Sequence, residues 1–302
     1  MPNTLINAEK FSSELDKVLV QKSAVGFLTD NAFRANFVGA KIVKIPDIQL
    51  QGLGDYDRDT GFLAGTVNVA NTPYELTMDR ARSFQIDRED MDETGVANLA
   101  GEVLSEFVRT KVVPETDAYV LSKLAGVANK AGHVSAAPAA NGEYKKFIEL
   151  CDSVRDVAGY DEELVAFVDA AYWSAMKTST EISRHIDSAA FKQGGVDFTV
   201  KTVDGVPIIP VSSARMKTAY TFAAGENEGD ECGFTPAENA KNIRLIVMPK
   251  KAAMLVKKSE KIRTFTPEQN FKADAYKFDY RVYYDAFVKK SYTNTIFACT
   301  AG

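Results

Sequence analysis

The spacing of hydrophobic positions changes several times along this chain, and each change marks an element. In residues 4–22, Leu5, Phe11, Leu15, Val18 and Leu19 recur near helical steps and predict a short helix. No core partner lies beside it in sequence, so the stretch reads as an extended N-terminal arm that crosses a subunit boundary. From 41 to 50 the order Lys-Ile-Val-Lys-Ile-Pro-Asp-Ile-Gln-Leu predicts the first arm of a long hairpin. Pro46 donates no ladder hydrogen bond, which puts it at an edge or an irregular position. Residues 51–65, rich in Gly and Asp, form the tip. The return arm, 73–86, alternates Tyr74, Leu76 and Met78 with Glu75, Thr77 and Asp79.

Two strands alone are marginal in water. So long a hairpin with so little apolar support is expected to lie on a neighbouring subunit. The strongest helix follows it. Val96, Leu99, Ala100, Val103, Leu104, Phe107 and Val108 make one apolar stripe at three- and four-residue steps. Asp90, Asp92 and Glu93 sit near its start and Arg109 and Lys111 near its end, complementing the helix dipole. Pro114 ends or kinks it and is also suited to open a new helical turn, so a second piece is expected over 115–126.

Residues 131–142 read as a linker. An α/β pattern comes next: a helix over 144–157, a short apolar strand over 164–168, and a helix over 170–186. Strands at 198–203 and 206–209 flank Asp204-Gly205, a hairpin cue. The last third predicts strands at 243–248, 252–256, 262–265 and 276–288. In the last of these, Tyr276, Phe278, Tyr280, Val282 and Tyr284 share one face. Lys277, Asp279, Arg281, Tyr283 and Asp285 share the other.

Composition narrows the function classes. The 302 residues suffice for a sizeable core in one large or two modest domains. Lys and Arg number 36 against 41 Asp and Glu, a formal charge of −5, which gives no electrostatic reason to expect a nucleic-acid binder. The pairs Lys250-Lys251 and Lys257-Lys258 read as solvated strand ends. No secretory signal and no apolar run of about 20 residues is visible, so neither secretion nor a membrane is expected. Cys151, Cys232 and Cys299 are far apart and odd in number, which fits reduced thiols in a cytoplasm.

Catalytic chemistry finds little support. Asp55, Asp57 and Asp59 start like a calcium loop, but Thr60 and Thr66 occupy the places that need Gly and a bidentate carboxylate. A solvated hairpin tip is the better reading. The two histidines, His133 and His185, have no visible acid or nucleophile partner. Gly194-Gly195 lacks the strand–helix context of a phosphate loop and reads as a mobile loop. Trp173 beside Tyr172 reads as core or interface. No catalytic residue, cofactor or metal is expected.

The chain nonetheless resembles a known family. The carriers are Phe84-Gln85-Ile86-Asp87-Arg88-Glu89-Asp90-Met91-Asp92-Glu93-Thr94, Val112-Val113-Pro114-Glu115-Thr116-Asp117-Ala118-Tyr119 and Asp204-Gly205-Val206-Pro207-Ile208-Ile209, together with the order of the parts. The order is that of the major capsid proteins of tailed bacteriophages, the Hong Kong-ninety-seven fold shared by herpesvirus capsid floors and encapsulin shells. The resemblance implies an α+β fold divided into an N-terminal arm (1–39), an extended hairpin loop (40–83), a spine helix with peripheral domain (84–130), an apical domain (131–220), and a remainder returning to the peripheral sheet (221–302).

It also implies a structural, non-enzymatic protein that assembles with itself through pentamers and hexamers into an icosahedral shell around the phage genome. Such a protein would be found in the virion, and in the host cytoplasm during assembly. Some relatives begin with a long cleaved scaffolding segment. Here the arm starts at once, so a separate scaffolding protein is expected, with a portal and double-stranded DNA held without sequence-specific binding. Some relatives cross-link a loop lysine, and residues 51–74 contain none. Acidic Asp55, Asp57 and Asp59 at the tip and Arg80, Arg82 and Arg88 on the return arm are the candidate inter-subunit ion pairs. Two other readings stay open: an encapsulin-like compartment with protein cargo, and, in a different class, a soluble α/β enzyme with an unrecognised site.

Overall fold

A computed structural model describes residues 23–34, 36–38, 41–59, 61–62, 64–89, 99–139, 141–179, 186–193, 196–225 and 231–301. The expected helix over 4–22, Asp90, Asp92, Glu93, Val96, His185 and Gly194-Gly195 lie outside them.

The largest sheet has seven strands in the order β5-β15-β12-β6-β9-β8-β7. These are β5 (Val134–Ala136), β6 (Leu164–Asp169), β7 (Ile186–Gln193), β8 (Val196–Val203), β9 (Val206–Val211), β12 (Ile243–Pro249) and β15 (Phe297–Thr300). Its central strands are buried on both faces. Val165, Phe167, Ile246 and Met248 join one apolar cluster, while Ala166, Val168, Leu245 and Val247 join the opposite one. That is why β6 reads as an unbroken apolar run instead of alternating. Helix α3 (Glu143–Ala158) and helix α4 (Ala170–Thr178) cover the second face, with Phe147, Leu150, Cys151, Val154, Tyr172 and Met176 in that cluster. Asp204 and Gly205 both take positive φ (49° and 75°), as a two-residue hairpin turn requires.

The long helix covers the first face. Helix α1 (Leu99–Phe107) runs through a π-helical turn (Val108–Val112) into helix α2 (Val113–Lys130). Pro114 therefore does not end it. The wider turn just before the proline takes up the missing N–H, while the Thr110 hydroxyl donates back to the Glu106 carbonyl at 2.6 Å. Helix α2 lies between two sheets: Leu121, Leu124 and Ala128 share one core with Phe167 and Ile246 on one side and Phe278, Tyr280 and Tyr284 on the other.

The second sheet has the order β13-β14-β4: β13 (Ala253–Phe265), β14 (Ala275–Val288) and β4 (Met78–Asp87). The strands expected at 252–256 and 262–265 are thus one strand, with a bulge between Lys257 and Ser259. The hairpin is built from β2 (Ile42–Leu50) and β3 (Val67–Glu75), with β1 (Asn36–Val38) alongside the start of β2. The expected return arm is corrected here. At Leu76-Thr77 the chain leaves the hairpin, and residues 78–87 pair with β14. Two strands that read as one alternating run serve two different sheets. Residues 26–34, expected within the arm, form a 3-10 helix (Gly26–Arg34) whose Phe27 stacks on Phe167 at 6.0 Å in the chain's own core. A small ribbon, β10 (Tyr220–Ala223) with β11 (Gly233–Pro236), lies beside Arg80 of β4.

Candidate assembly surface

The hairpin tip is a surface that the fold leaves without cover. Ile42 pairs with Glu75 and Leu50 with Val67, so nine residue pairs carry the ladder out to the tip. Pro46 lies past the reach of β1, which stops opposite Lys44, so β2 has one neighbour there and the missing donor leaves no gap between strands. The tip has local order of its own. Asp57 Oδ1 accepts from the Asp59 N–H at 2.7 Å, its carbonyl accepts from the Gly61 N–H at 2.8 Å, and Gln51 Oε1 accepts from the Thr66 N–H at 3.1 Å. Tyr56 packs on Phe62 at 5.0 Å. Yet Leu53 is fully exposed, Phe62 is 90% exposed, and Tyr56 and Val67 face water for most of their surface.

The base is anchored firmly. Val43, Ile45 and Leu76 form an apolar cluster with Met254, Val256, Tyr283 and Phe287 of the β13–β14 sheet. Beside it lies buried Asp285. Its Oδ2 accepts from the Thr77 N–H (3.1 Å) and hydroxyl (2.9 Å). Its Oδ1 accepts from Tyr119 Oη (2.7 Å) and Lys123 Nζ (2.5 Å). One carboxylate thus ties the hinge at Thr77, helix α2 and strand β14 together. Burial, and to a lesser degree Asp285 itself, pushes the Tyr119 phenol well above its ordinary range. Two more buried carboxylates act in the same way. Asp117 accepts from Ser23 (2.5 Å), Ala24 N–H (3.2 Å) and Arg215 (3.1 Å), and burial pushes its carboxyl up. Asp169 accepts from Ser213 and from Arg244 (2.6 Å). Sequence reasoning missed all three, because each partner lies at least 44 positions away.

The candidate charges separate. Asp55, Asp57 and Asp59 are exposed at the tip. Arg80 is engaged inside its own subunit: its guanidinium grips Glu115 at 2.7 and 3.2 Å and donates to the carbonyls of Ala223 and Gly233. Arg82 donates to Cys232 Sγ at 3.2 Å, and Arg88 lies 3.9 Å from Asp274. The structure does not bring the tip aspartates and these arginines together within one chain.

The other described residues singled out from the sequence make packing and polar contacts within the chain. His133 stacks on Phe297 at 4.1 Å. Trp173 lies under Lys177, 5.5 Å from the ring, and the Tyr172 hydroxyl donates to the Glu143 carbonyl at 2.7 Å. Burial pushes the Cys151 thiol up to about 12, and the cysteines form no disulfide. Lys250 lies 3.7 Å from Glu163, at the turn after β12. Among the described residues no cluster of His, Cys, Asp and Glu could hold a metal, and no helix is long and apolar enough to cross a membrane.

No protein-family model and no curated protein matches the sequence. Solved structures do match in fold. The chain is similar to the capsid structure of cyanophage P-SCSP1u, with 14% identity, a TM-score of 0.58, and coverage of 88% of this chain and 85% of that one. It is similar to the asymmetric unit of the mature capsid of bacteriophage PhiM1, with 16% identity, a TM-score of 0.53, and coverage of 87% and 82%. It is also similar to a virus-like particle from Pyrococcus furiosus, with 8% identity, a TM-score of 0.52, and coverage of 96% and 98%. The fold is therefore that of phage capsid proteins, an α+β fold.

Proposed function

We propose that this chain is the major capsid protein of a tailed phage, a structural subunit that assembles through pentamers and hexamers into a closed icosahedral shell around double-stranded DNA. The observation that carries this is the hairpin. It is anchored at its base by buried apolar and charged groups, yet its tip offers Leu53 and Phe62 to water. An element held so firmly at one end and so exposed at the other fits a contact made only in an assembly. A closed ring of identical chains supplies that contact through a heterologous interface. Asp55, Asp57 and Asp59 at the tip are its proposed polar contacts. The same fold in two named capsid structures supports the reading. The role is structural and uses no cofactor.

Negative-stain electron microscopy of the purified chain, alone and with a candidate scaffold, tests it. Uniform closed shells are expected. A strictly monomeric particle in all conditions would overturn it. The likeness to the Pyrococcus virus-like particle, which spans nearly the whole of both chains, supports a second reading as a compartment with protein cargo. Nuclease-protected DNA within shells isolated from the native host distinguishes the phage capsid from that compartment.

A further inference from the structure

Two residues, Leu76 and Thr77, carry the chain from the hairpin to the β13-β14-β4 sheet, and neither belongs to a ladder. The β2–β3 ladder ends where Ile42 pairs with Glu75, and the β14–β4 ladder begins where Tyr284 pairs with Met78. Buried backbone groups outside a ladder need partners of another kind. The Leu76 N–H donates to the Lys41 carbonyl at 2.9 Å. The Leu76 carbonyl accepts from the Tyr283 hydroxyl at 3.0 Å, in a buried bond. The Thr77 N–H and hydroxyl both donate to Oδ2 of Asp285. Tyr283 and Asp285 stand two residues apart on β14, so they share a face and hold successive residues of the hinge.

The Asp285 carboxylate is itself set by helix α2. Tyr119 and Lys123 lie one turn apart on that helix, and both donate to Oδ1, at 2.7 and 2.5 Å. The Ala286 N–H donates there as well, at 2.7 Å. A second line runs from the same lysine. Its ammonium lies 5.0 Å from the Phe287 ring, and Phe287 packs on Tyr74 of β3 at 4.9 Å. Helix α2 thus reaches the hinge through Asp285 and the hairpin's returning strand through Phe287. Donors on both oxygens of a buried carboxylate fix its orientation.

Direction matters because the hairpin is long. Nine paired residues at about 3.3 Å each put the tip roughly 30 Å from the hinge, so a swing of about 10° there displaces it by about 5 Å. A tip that wanders must be ordered at each contact it makes, whereas a tip already aimed avoids that cost. The apolar contacts at the base hold the hairpin down on the sheet, but such contacts are non-directional. Hydrogen bonds weaken steeply with angle, so those at the hinge set which way the hairpin points. We propose that Tyr283 and Asp285 are positioning residues of the hairpin. They fix its direction in the free subunit, before any second copy is met, and helix α2 holds Asp285 in the orientation that does so.

The use of a fixed direction in assembly rests on the shell reading; the direction itself does not. Electron–electron double resonance on the free subunit reads it, between nitroxides at D59C on the tip and D156C on α3, both exposed sites. A C232S background leaves only the buried Cys151 and Cys299. Frozen dilute subunit, monomeric by size exclusion, is expected to give one narrow distance. T77V/Y283F removes a hydroxyl bond at each hinge residue and is expected to broaden it with the fold kept. Y119F/K123M, which strips Asp285 of its helix donors without touching the hinge, should broaden it too, and Y119F alone serves should that pair fail to fold. F147L, in the other apolar cluster, is the control: it should lower the melting temperature and leave the distance narrow. A wild-type distance as broad as the variants', or variants as narrow as wild type, overturns the positioning role. T77V/Y283F is also expected to lose uniform closed shells by electron microscopy, and uniform shells from a broadened hairpin overturn its use in assembly. Wild-type protein that gives a narrow distance and never assembles overturns the shell reading and leaves the hinge standing.

Discussion

Asp117, Asp169 and Asp285 each lie buried and each meet a cation from a distant part of the chain. Removing one member of such a pair leaves the other without its partner. Asp285→Ala is expected to cost about 3 kcal/mol in urea unfolding, at the lower end of the range because Lys123 keeps partial access to water. Glu106→Ala should leave the same transition unmoved, since its pair with Arg109 is solvent-exposed. Asp117 adds a pH dependence. Burial raises its carboxyl in the fold, so the folded chain holds that proton to higher pH than the unfolded chain does. Stability from this group is present below the unfolded value, about pH 4, and falls as pH rises toward the folded value. Asp117→Asn removes that slope. Its melting temperature relative to wild type is expected to improve from about pH 4 to about pH 7. A relative fall over that interval would show that Arg215 outweighs burial.

Elements were legible where one period held and one environment surrounded them. The apolar face of α3 and the Asp204-Gly205 turn are both where the pattern puts them. Because Gly205 needs φ near 75° and a Cβ there meets nothing, Gly205→Ala isolates the backbone term, an expected loss of about 1–2 kcal/mol. Gly126 in α2 has ordinary helical φ and equal space, so Gly126→Ala should stabilise by up to about 1 kcal/mol. Both are read by thermal or denaturant melts. The misreadings share one cause. Strand β4 continues the alternation of β3, so sequence joined them, although a hinge at Leu76-Thr77 sends them to different sheets. Strands β5 and β15 are short and pair in parallel across more than 150 positions, which no local pattern encodes.

At the scale of the molecule, the core supports the hairpin without needing its tip. Leu53→Ser with Phe62→Ser is expected to leave the subunit's melting temperature unchanged while removing closed shells in electron micrographs. A lowered melt with shells retained would mean that the tip serves the fold and not assembly. The candidate surface was half legible. Its acidic tip stands out in sequence because three aspartates alternate with no apolar support. Its arginine complement did not, because Arg80 was free to point anywhere until α2 brought Glu115 to within 2.7 Å of it.

Sequence alone determined the parts and their order: a long hairpin, an amphipathic helix, an α/β middle and a closing run of strands. Those follow from local periodicity, which the backbone imposes within a few residues. Tertiary structure alone decided which strand joined which sheet, that the helix crosses Pro114 by way of a π turn, and which carboxylates are buried. Each of these depends on groups tens to hundreds of positions apart meeting in a core, and no local pattern carries that information.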